Sequence, residues 1–340
     1  MQLIAAFALA LVLSLLLTPL GVRLAWVSGC LVHPEARKLH TSATALLGGT
    51  VVFVSALLAW LAHVGRPVAV PGDVLALVGG AALILAVGLW DDRFGMGVGL
   101  KMLGQTCAAG LLLGSGNVPD FGLPFVANVV VSLLALIALM NAINFLDNMN
   151  GMIAGLSAIA LAGFAWESVE RGAFGVAAAQ LALAGACAGF LKYNFPRARI
   201  FLGDAGSQFL GYSLGASAVL AFVRQPHGWG QVGTILALAY PIFDMIFVVV
   251  NRLREGRKVY QGGKDHTNHR LARVIRCQTR TVILIWLAGA ALSASGLAVQ
   301  RLNLPLPTLL LSGLWTAIFL WAGFRLSSVP SGVVPPSRPS

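Results

Sequence analysis

The chain has 340 residues, of which 58% are hydrophobic and only 10% are charged, and its mean hydropathy is +0.84. Soluble domains carry about 25% charged residues, so this composition excludes an ordinary soluble domain and predicts an all-α polytopic membrane protein. The four cysteines lie far apart without a Cys-x-x-Cys pair, which argues against a disulfide framework or a structural zinc site.

Eleven apolar stretches approach the roughly 20 residues that a membrane-spanning helix needs. The sixth and seventh are the shortest or the richest in glycine. In chain order, the predicted spans begin near Leu3, Ala43, Val74, Leu100, Phe125, Met152, Ala173, Ala205, Gln231, Thr281 and Pro305.

The distribution of basic residues over the loops predicts how the chain is oriented. Of the 23 Lys and Arg residues, four (Arg66, Arg171, Arg224 and Arg301) fall on one side, and all the others fall on the opposite side. Cytoplasmic loops are enriched in Lys and Arg, so the N-terminus is predicted outside and the C-terminus inside. The net charge of +11 therefore reflects membrane topology, and no nucleic-acid partner is needed to explain it.

This topology predicts one transmembrane catalytic domain over residues 1–326. Its cytoplasmic loops are expected at 29–43, 91–100, 144–151, 191–206 and 252–280. The Pro/Ser-rich tail, 327–340, is predicted to be disordered.

Adjacent carboxylates, Asp91 and Asp92, end the third predicted span. They repel each other and lie beside the negative end of the helix dipole, and a bound cation would relieve both effects. The alternative is a pair of solvated loop aspartates.

A second polar group ends the fifth predicted span. Asn141, Asn144, Asp147 and Asn148 fall on one helical face, where they would be costly against lipid. They are expected to line a cavity, and an interhelical hydrogen-bonded patch is the alternative.

Two further aspartates lie in the eighth and ninth predicted spans. Asp204 begins the eighth span among glycines, which suits either a helix N-cap or a phosphate site at the helix N-terminus. Asp244 lies inside the ninth span, where a carboxylate is a functional candidate by default. A structural pairing of Asp244 with Arg252 or Arg254 is the alternative.

The most polar loop follows the ninth span and contains nine basic residues: Arg252, Arg254, Arg257, Lys258, Lys264, Arg270, Arg273, Arg276 and Arg280. His266 and His269 alternate with Lys264 and Arg270, a pattern that favours hydrogen bonds to phosphate over zinc ligation. Carboxylates surrounded by these cations, with Lys38 and Lys101, predict magnesium-dependent chemistry on a phosphate ester.

The chain resembles the polyprenyl-phosphate N-acetylhexosamine-1-phosphate transferases, the superfamily that also includes phospho-N-acetylmuramoyl-pentapeptide transferase. The likeness covers nearly the whole chain and rests on five motifs that occur in the expected order. They are Arg37-Lys38-x-His40 with Gly48-Gly49, Gly88-x-x-Asp91-Asp92 with Lys101 and Gln105, Asn141-x-x-Asn144-x-x-Asp147, Phe201-x-Gly203-Asp204-x-Gly206-Ser207, and Asp265-His266-x-x-His269-Arg270-Leu271.

The resemblance implies that a sugar 1-phosphate passes from a UDP-N-acetylhexosamine to undecaprenyl phosphate, that UMP leaves, and that Mg²⁺ is required, with Mn²⁺ as an expected substitute. The implied catalytic and metal-binding carboxylates are Asp91, Asp92, Asp147 and Asp204. The expected substrate-binding residues are Lys38, His40, Lys101, Asn141, Asn144, Asn194, Phe201, Lys264, His266, His269 and Arg270. Among them, Lys38, Asn194 and Phe201 would hold the nucleotide, and the segment from His266 to Arg270 would hold the phosphates of the nucleotide sugar.

The chain departs from the family pattern at Ala43 and Ala45, where prolines are usual, and at Asn150, where a second aspartate is usual. The last motif is closer to the GlcNAc-phosphate branch, but it leaves the donor sugar open. A muramoyl-pentapeptide-type reaction and, in a different class, a transporter for an anionic solute are the alternatives. The expected location is the bacterial cytoplasmic membrane with the active site on its cytoplasmic face, and a homodimer is left open.

Overall fold

A computed structural model describes residues 2–32, 43–64, 71–225, 227–258 and 263–330. These residues form α-helices and one short two-stranded sheet. In chain order, the elements are α1 (Gln2–Ser28), β1 (Leu31–Val32), β2 (Thr44–Ala45), α2 (Gly48–Val64), α3 (Gly72–Phe94), α4 (Val98–Gly114), α5 (Phe125–Leu146), α6 (Met152–Glu170), α7 (Phe174–Asn194), α8 (Gly203–Arg224), α9 (Gln231–Ala237), α10 (Ala239–Arg254), α11 (Thr267–Ile275), α12 (Gln278–Leu302) and α13 (Pro305–Ser327).

The helices agree with an all-α, multi-pass membrane protein. Within the described ranges, eight helices are long and apolar enough to cross a membrane: α1, α3, α5, α6, α7, α8, α12 and α13. The helices α9 and α10 pass the same test together but are bent by 67°, and α2 and α4 are shorter apolar helices. The count of eleven spans and the predicted orientation stay predictions.

The chain divides into an N-terminal unit, Met1–Arg224, and a C-terminal unit, Gln225–Ser340. In the N-terminal unit, α8 is the central helix, buried along most of its length and packed against α3 and α5. On another side of this unit, α1 packs against α7 and α2. The start of α8 therefore lies among the ends of the helices that carry the predicted carboxylates.

Small residues allow this close packing around α8. A Cβ atom added at Gly49 would collide with Gly206 in α8, and one added at Gly88 in α3 would collide with the backbone of Ala205. Glycine and alanine let helix backbones approach closely in membrane proteins. As a result, the last turn of α3, where Asp91 and Asp92 lie, is held against the first turn of α8.

The C-terminal unit is built around α12, which packs against α9 where Gly233 and Gly296 meet. A small core of Phe247, Val248 and Leu326 joins α10 to the end of α13, with Leu271 of α11 packed against it. The helix α11 is therefore held between α10 and α13.

Three features differ from the sequence-based expectations. The loop before α2 contains an antiparallel pair, β1 and β2, so the second predicted span begins at Gly48 rather than near Ala43. The ninth predicted span is the bent pair α9 and α10. The basic loop contains the nine-residue helix α11, whose polar composition hid it from a search for apolar periodicity.

Candidate functional site

Two carboxylates in the N-terminal unit share one ammonium group. Lys101 in the first turn of α4 donates to Asp91 at 2.9 Å and to Asp204 at 2.5 Å. The three side chains are partly buried, so solvent screens their charges less than it screens surface pairs. We call Asp91, Asp92, Lys101, Asn144 and Asp204 the carboxylate cluster.

Asp92 has a different environment from its neighbour Asp91. Its carboxylate accepts the backbone N–H groups of Asp204 at 2.9 Å and of Ala205 at 3.1 Å. Gly203 precedes them with a φ of 75°, and a Cβ atom there would fall against this carboxylate. Asp92 therefore caps α8 from another helix, so the capping role considered for Asp204 belongs to Asp92.

Amide side chains from α5 complete the packing beside the cluster. Asn144 donates through Nδ2 to Asp204 at 3.1 Å and to the Ser207 hydroxyl at 2.8 Å. One turn earlier, Asn141 donates to Gln105 at 2.9 Å, and Gln105 donates to Gln208 at 3.2 Å. Asn144 thus belongs to the carboxylate cluster, whereas Asn141 forms the interhelical hydrogen-bonded patch that the sequence left as the alternative.

Asp147 lies just beyond the end of α5 and is half-buried. Burial, and then the negative charges of Asp204 and Asp92, raise the pKa of Asp147 to about 7. Its carboxylate makes no hydrogen bond to another residue that the structure describes. A cation placed beside this group would favour its ionised form.

The oxygen donors of this region suit a hard cation such as Mg²⁺. Asp91 and Asp204 already share one cation, the Lys101 ammonium, and Asp147 is a further carboxylate that the charges of Asp204 and Asp92 influence. Among the described residues, no group of three or more His, Cys, Asp or Glu side chains is arranged as a metal site. Magnesium at Asp91, Asp92, Asp147 and Asp204 therefore stays a prediction, and the present contacts of Asp91 and Asp204 are those of a lysine-bridged pair.

The residues expected to hold a nucleotide differ in their burial and in their hydrogen-bond partners. Asn194 is buried, and its side chain accepts the Gly151 N–H at 2.7 Å and donates to the Ile200 carbonyl at 2.8 Å, so its amide joins two loops. Phe201 is half-buried, and its backbone pairs with Ala45 and Gly48. Lys38 and His40 lie outside the described residues.

Asn150 stands where the family pattern has an aspartate, and its side chain donates to the Pro196 carbonyl at 3.0 Å. A carboxylate has no hydrogen to donate, so an ionised aspartate could not make this bond. The asparagine therefore connects the loop after α5 to the loop between α7 and α8.

The C-terminal unit contains a second group of predicted residues, at the start of α11. His266 is buried, and its Nδ1 lies 2.7 Å from the Asp244 carboxylate. The same carboxylate accepts the N–H of Thr267 at 2.7 Å and its hydroxyl at 2.6 Å. Asp244 thus pairs with the start of α11, and the pairing with Arg252 or Arg254 that the sequence suggested is not the one found.

His269 lies beside His266, with a distance of 6.5 Å between the ring centroids. Burial, and then the positive charges of His266 and Lys264, lower the pKa of His269 to about 4. Its imidazole is therefore neutral at pH 7. Lys264 precedes the pair and is half-buried.

Arg270 is buried, and its guanidinium donates hydrogen bonds to main-chain carbonyls. Its Nη1 donates to the carbonyls of Leu326, Ser327 and Val329 at 3.1, 3.0 and 2.7 Å. Leu326 and Ser327 end α13, where helix carbonyls lack partners within the helix, and Val329 lies just beyond it. In these contacts Arg270 caps α13, and its predicted contact with phosphate stays a prediction.

Arg252 and Asp265 form a two-bonded ion pair at 2.8 Å for each contact. Burial opposes ionisation of Asp265, but the hydrogen bonds and charge of Arg252 lower its pKa to about 2. This pair joins the end of α10 to the residue before His266, so it fixes the approach to α11.

Sequence reasoning missed Ser207, Gln208, Tyr240 and Thr267 as partners of the predicted residues. Ser207 and Gln208 follow Asp204 by three and four residues, the spacing that places side chains on one helical face. That spacing was an available signal. The contact of Tyr240 with Thr267, at 3.1 Å, depends on where α11 lies and has no such signal.

Residues 74–222, which contain the whole carboxylate cluster, match the model of glycosyl transferase family 4. Over 308 residues the chain is 29% identical to a probable undecaprenyl-phosphate N-acetylglucosaminyl 1-phosphate transferase of Bacillus subtilis (strain 168), an alignment that covers 88% of this chain and 85% of that protein.

Two other relatives extend the similarity. A decaprenyl-phosphate N-acetylglucosaminephosphotransferase of Mycolicibacterium smegmatis is 31% identical over 294 residues, which cover 76% of this chain and 72% of that protein. A phospho-N-acetylmuramoyl-pentapeptide-transferase of Bacillus thuringiensis is 28% identical over 322 residues, which cover 86% of this chain and 95% of the relative.

Proposed function

Because this chain belongs to glycosyl transferase family 4 and is a sugar-phosphate transferase, we propose that it transfers N-acetylhexosamine 1-phosphate from a UDP-linked donor to a polyprenyl phosphate. The names of two relatives, an undecaprenyl-phosphate and a decaprenyl-phosphate enzyme for N-acetylglucosamine, support this acceptor and favour this sugar. UMP is the leaving group, and the product is a sugar linked to the lipid by pyrophosphate.

The observation that carries this proposal is the lysine-bridged pair of carboxylates where α3, α4 and α8 meet. Transfer of a phosphoryl group brings an anionic nucleophile to an anionic pyrophosphate, so charge must be neutralised around the reacting phosphorus. The carboxylate cluster combines a fixed ammonium with carboxylates that suit a divalent cation. This combination favours phosphoryl transfer over proton transfer or hydride transfer.

The acceptor lipid is a phosphate monoester whose second pKa is near 6, so it is largely ionised at pH 7 and needs little help from a base. An oxygen of the lipid phosphate forms a bond to the β-phosphorus of the donor, and the bond from that phosphorus to the bridging oxygen breaks. UMP leaves with the electron pair. We favour this direct attack over an aspartyl-phosphate intermediate, because the nucleophile already carries the charge it needs.

Different residues of the chain have different roles in this reaction. Asp91, Asp147 and Asp204 would hold Mg²⁺, which when bound neutralises charge on the pyrophosphate oxygens. Lys101 holds two of these carboxylates in place and adds a positive charge beside them. Asp92 fixes the first turn of α8, so Asp204 presents its side chain from a rigid helix end.

In the C-terminal unit, His266, His269 and Lys264 are the groups assigned to the donor phosphates. The backbone around them is fixed by Asp244 and by the ion pair of Arg252 with Asp265. Hydrogen-bond donors that are already fixed in place need little reorganisation when negative charge develops on the leaving UMP. We place the reaction at the cytoplasmic face of a bacterial membrane, following the excess of basic residues in the loops of that side.

The test is turnover of the purified protein in detergent with UDP-N-acetylglucosamine, a polyprenyl phosphate and Mg²⁺. We expect UMP release that requires all three, that Mn²⁺ restores after treatment with EDTA, and that Zn²⁺ does not restore, because the donor set is all oxygen. Full activity after exhaustive EDTA treatment would remove the metal from the proposal. UMP release without the lipid would show that the protein hydrolyses the donor instead of transferring the sugar phosphate.

A further inference from the structure

The interior of the C-terminal unit contains a carboxylate that the reaction above does not use directly. Asp244 lies in α10 and is 1% exposed. One of its oxygens faces His266 Nδ1 at 2.7 Å, and the other accepts the Thr267 N–H and hydroxyl at 2.7 and 2.6 Å. Tyr240, one turn earlier in α10, lies 3.1 Å from the same hydroxyl. The carboxylate therefore has donors on both of its oxygens.

These contacts determine which nitrogen of His266 carries the proton. A carboxylate accepts hydrogen bonds and has none to donate, so the proton of the neutral ring lies on Nδ1. The other ring nitrogen, Nε2, makes no hydrogen bond to another residue in the part of the chain that the structure describes. His266 thus has one nitrogen fixed by the protein and one left to meet a ligand, and protonation would turn Nε2 into a donor.

We propose that Asp244 is a positioning residue that acts through His266. It fixes the orientation of the imidazole so that Nε2 is directed to a phosphate group of the donor substrate, to which the doubly protonated ring donates. This inference rests on the proposed function for the identity of the ligand, and it adds a residue that lies outside the four carboxylates assigned to the reaction. In the doubly protonated ring, Nδ1–H donates to the Asp244 carboxylate and Nε2–H donates to a phosphate oxygen.

Asp244 also caps α11, and a cap alone would be a structural role. The two roles use different oxygens, so they can be separated by mutation. In Asp244→Asn the side-chain oxygen can still accept from Thr267, while the new NH₂ group cannot accept from His266 Nδ1–H, so the doubly protonated ring loses the partner that orients it. Thr267→Val has the converse effect, because it removes the hydroxyl contact and leaves the contact with His266 in place.

A double-mutant cycle tests whether Asp244 acts through His266. We expect Asp244→Asn to lower kcat about 30-fold with a smaller change in KM for the donor, by analogy with the loss when the partner that orients a metal-ligating histidine is removed. In a His266→Gln background the same change should cost less than about threefold, since the group through which Asp244 acts is gone. The control, Thr267→Val, should change kcat by the same factor in both backgrounds. An equal effect of Asp244→Asn in both backgrounds would overturn the proposal.

A second measurement does not depend on turnover. ¹⁵N NMR of histidine-labelled protein, with His266→Gln used to assign the signal, reports the tautomer of His266 in the wild type. We expect the Nδ1–H form, and the Nε2–H form would overturn the proposal even if Asp244→Asn does not fold. If the wild type releases no UMP, the proposed function fails while this spectrum still decides the role of Asp244.

Discussion

Replacing Asp92 with asparagine changes one atom of the carboxylate that holds the start of α8. Asp92 accepts the N–H groups of Asp204 and Ala205 at 2.9 and 3.1 Å, one with each oxygen. An asparagine offers one acceptor oxygen, and its NH₂ group cannot accept from a backbone N–H. One charge-assisted hydrogen bond is lost, and the other becomes a bond to a neutral acceptor.

The size of the effect follows from these two losses. A hydrogen bond to a charged group contributes about 1.5–3 kcal/mol, and a negative charge at a helix N-terminus contributes about 0.3–1 kcal/mol. Together they predict a loss of about 2–4 kcal/mol in the free energy of unfolding. In a unit of about 200 residues, each kcal/mol lowers Tm by about 2–4 °C, so Tm should fall by roughly 5–15 °C.

The assay is thermal unfolding of the purified proteins in one detergent, with Asp91→Asn as the matched control. Asp91 lies next to Asp92 in α3, but it accepts from the Lys101 ammonium, which keeps Asp204 as a partner in the variant. We therefore expect a much smaller shift for Asp91→Asn. Equal shifts in the two variants would refute the assignment of Asp92 as the cap of α8.

Three further predictions concern the remaining residues. Asp204→Asn and Asp91→Asn should each lower UMP release by more than about tenfold, or ~1.4 kcal/mol in the barrier, and a higher residual rate would contradict their catalytic assignment. Arg270→Ala should lower Tm far more than Arg276→Ala, because Arg270 binds three carbonyls at and just beyond the end of α13, and similar shifts would contradict this role. The pKa of His269 is near 4 in the folded protein, so the free energy of unfolding should rise with pH between about 4 and 6.5. In that range the unfolded chain binds a proton at this histidine and the folded protein does not. Lowering the pH from 7 to 5 should therefore cost about 2 kcal/mol, a loss that thermal unfolding should no longer show in His269→Gln.

The positions of the helices were predictable because a span of apolar residues has few alternatives to a helix in lipid. The break between α9 and α10 was not predicted, although Pro241 lies in the first turn of α10, where proline is tolerated because its missing N–H has no partner there. The position of α11 could not be read from apolar length, since it is short and polar and is held by contacts with α10 and α13.

Within the candidate site, the sequence indicated that Asp91, Asp92 and Asp204 belong together, because their helix ends fall on one predicted side of the membrane. It could not separate Asp91 from Asp92. That difference depends on the close approach of α3 and α8 at Gly88, which turns one carboxylate toward backbone amides and the other toward Lys101.

Arg270 illustrates the limit of reasoning from charge. A guanidinium in a basic loop was assigned to phosphate, but main-chain carbonyls attract it by the same hydrogen bonds. The choice depends on where α13 ends, which lies more than 50 residues away along the chain. Composition gives the charge of such a residue, and only the tertiary structure gives its partner.

The most direct test of the proposed reaction follows the β-phosphate of the donor. Purified protein is given UDP-N-acetylglucosamine labelled at the β-phosphorus, together with a polyprenyl phosphate and Mg²⁺, and the lipid and aqueous fractions are separated. We expect the label to enter the lipid in a one-to-one ratio with the UMP released. Label recovered as free sugar phosphate, or release of UDP in place of UMP, would contradict it.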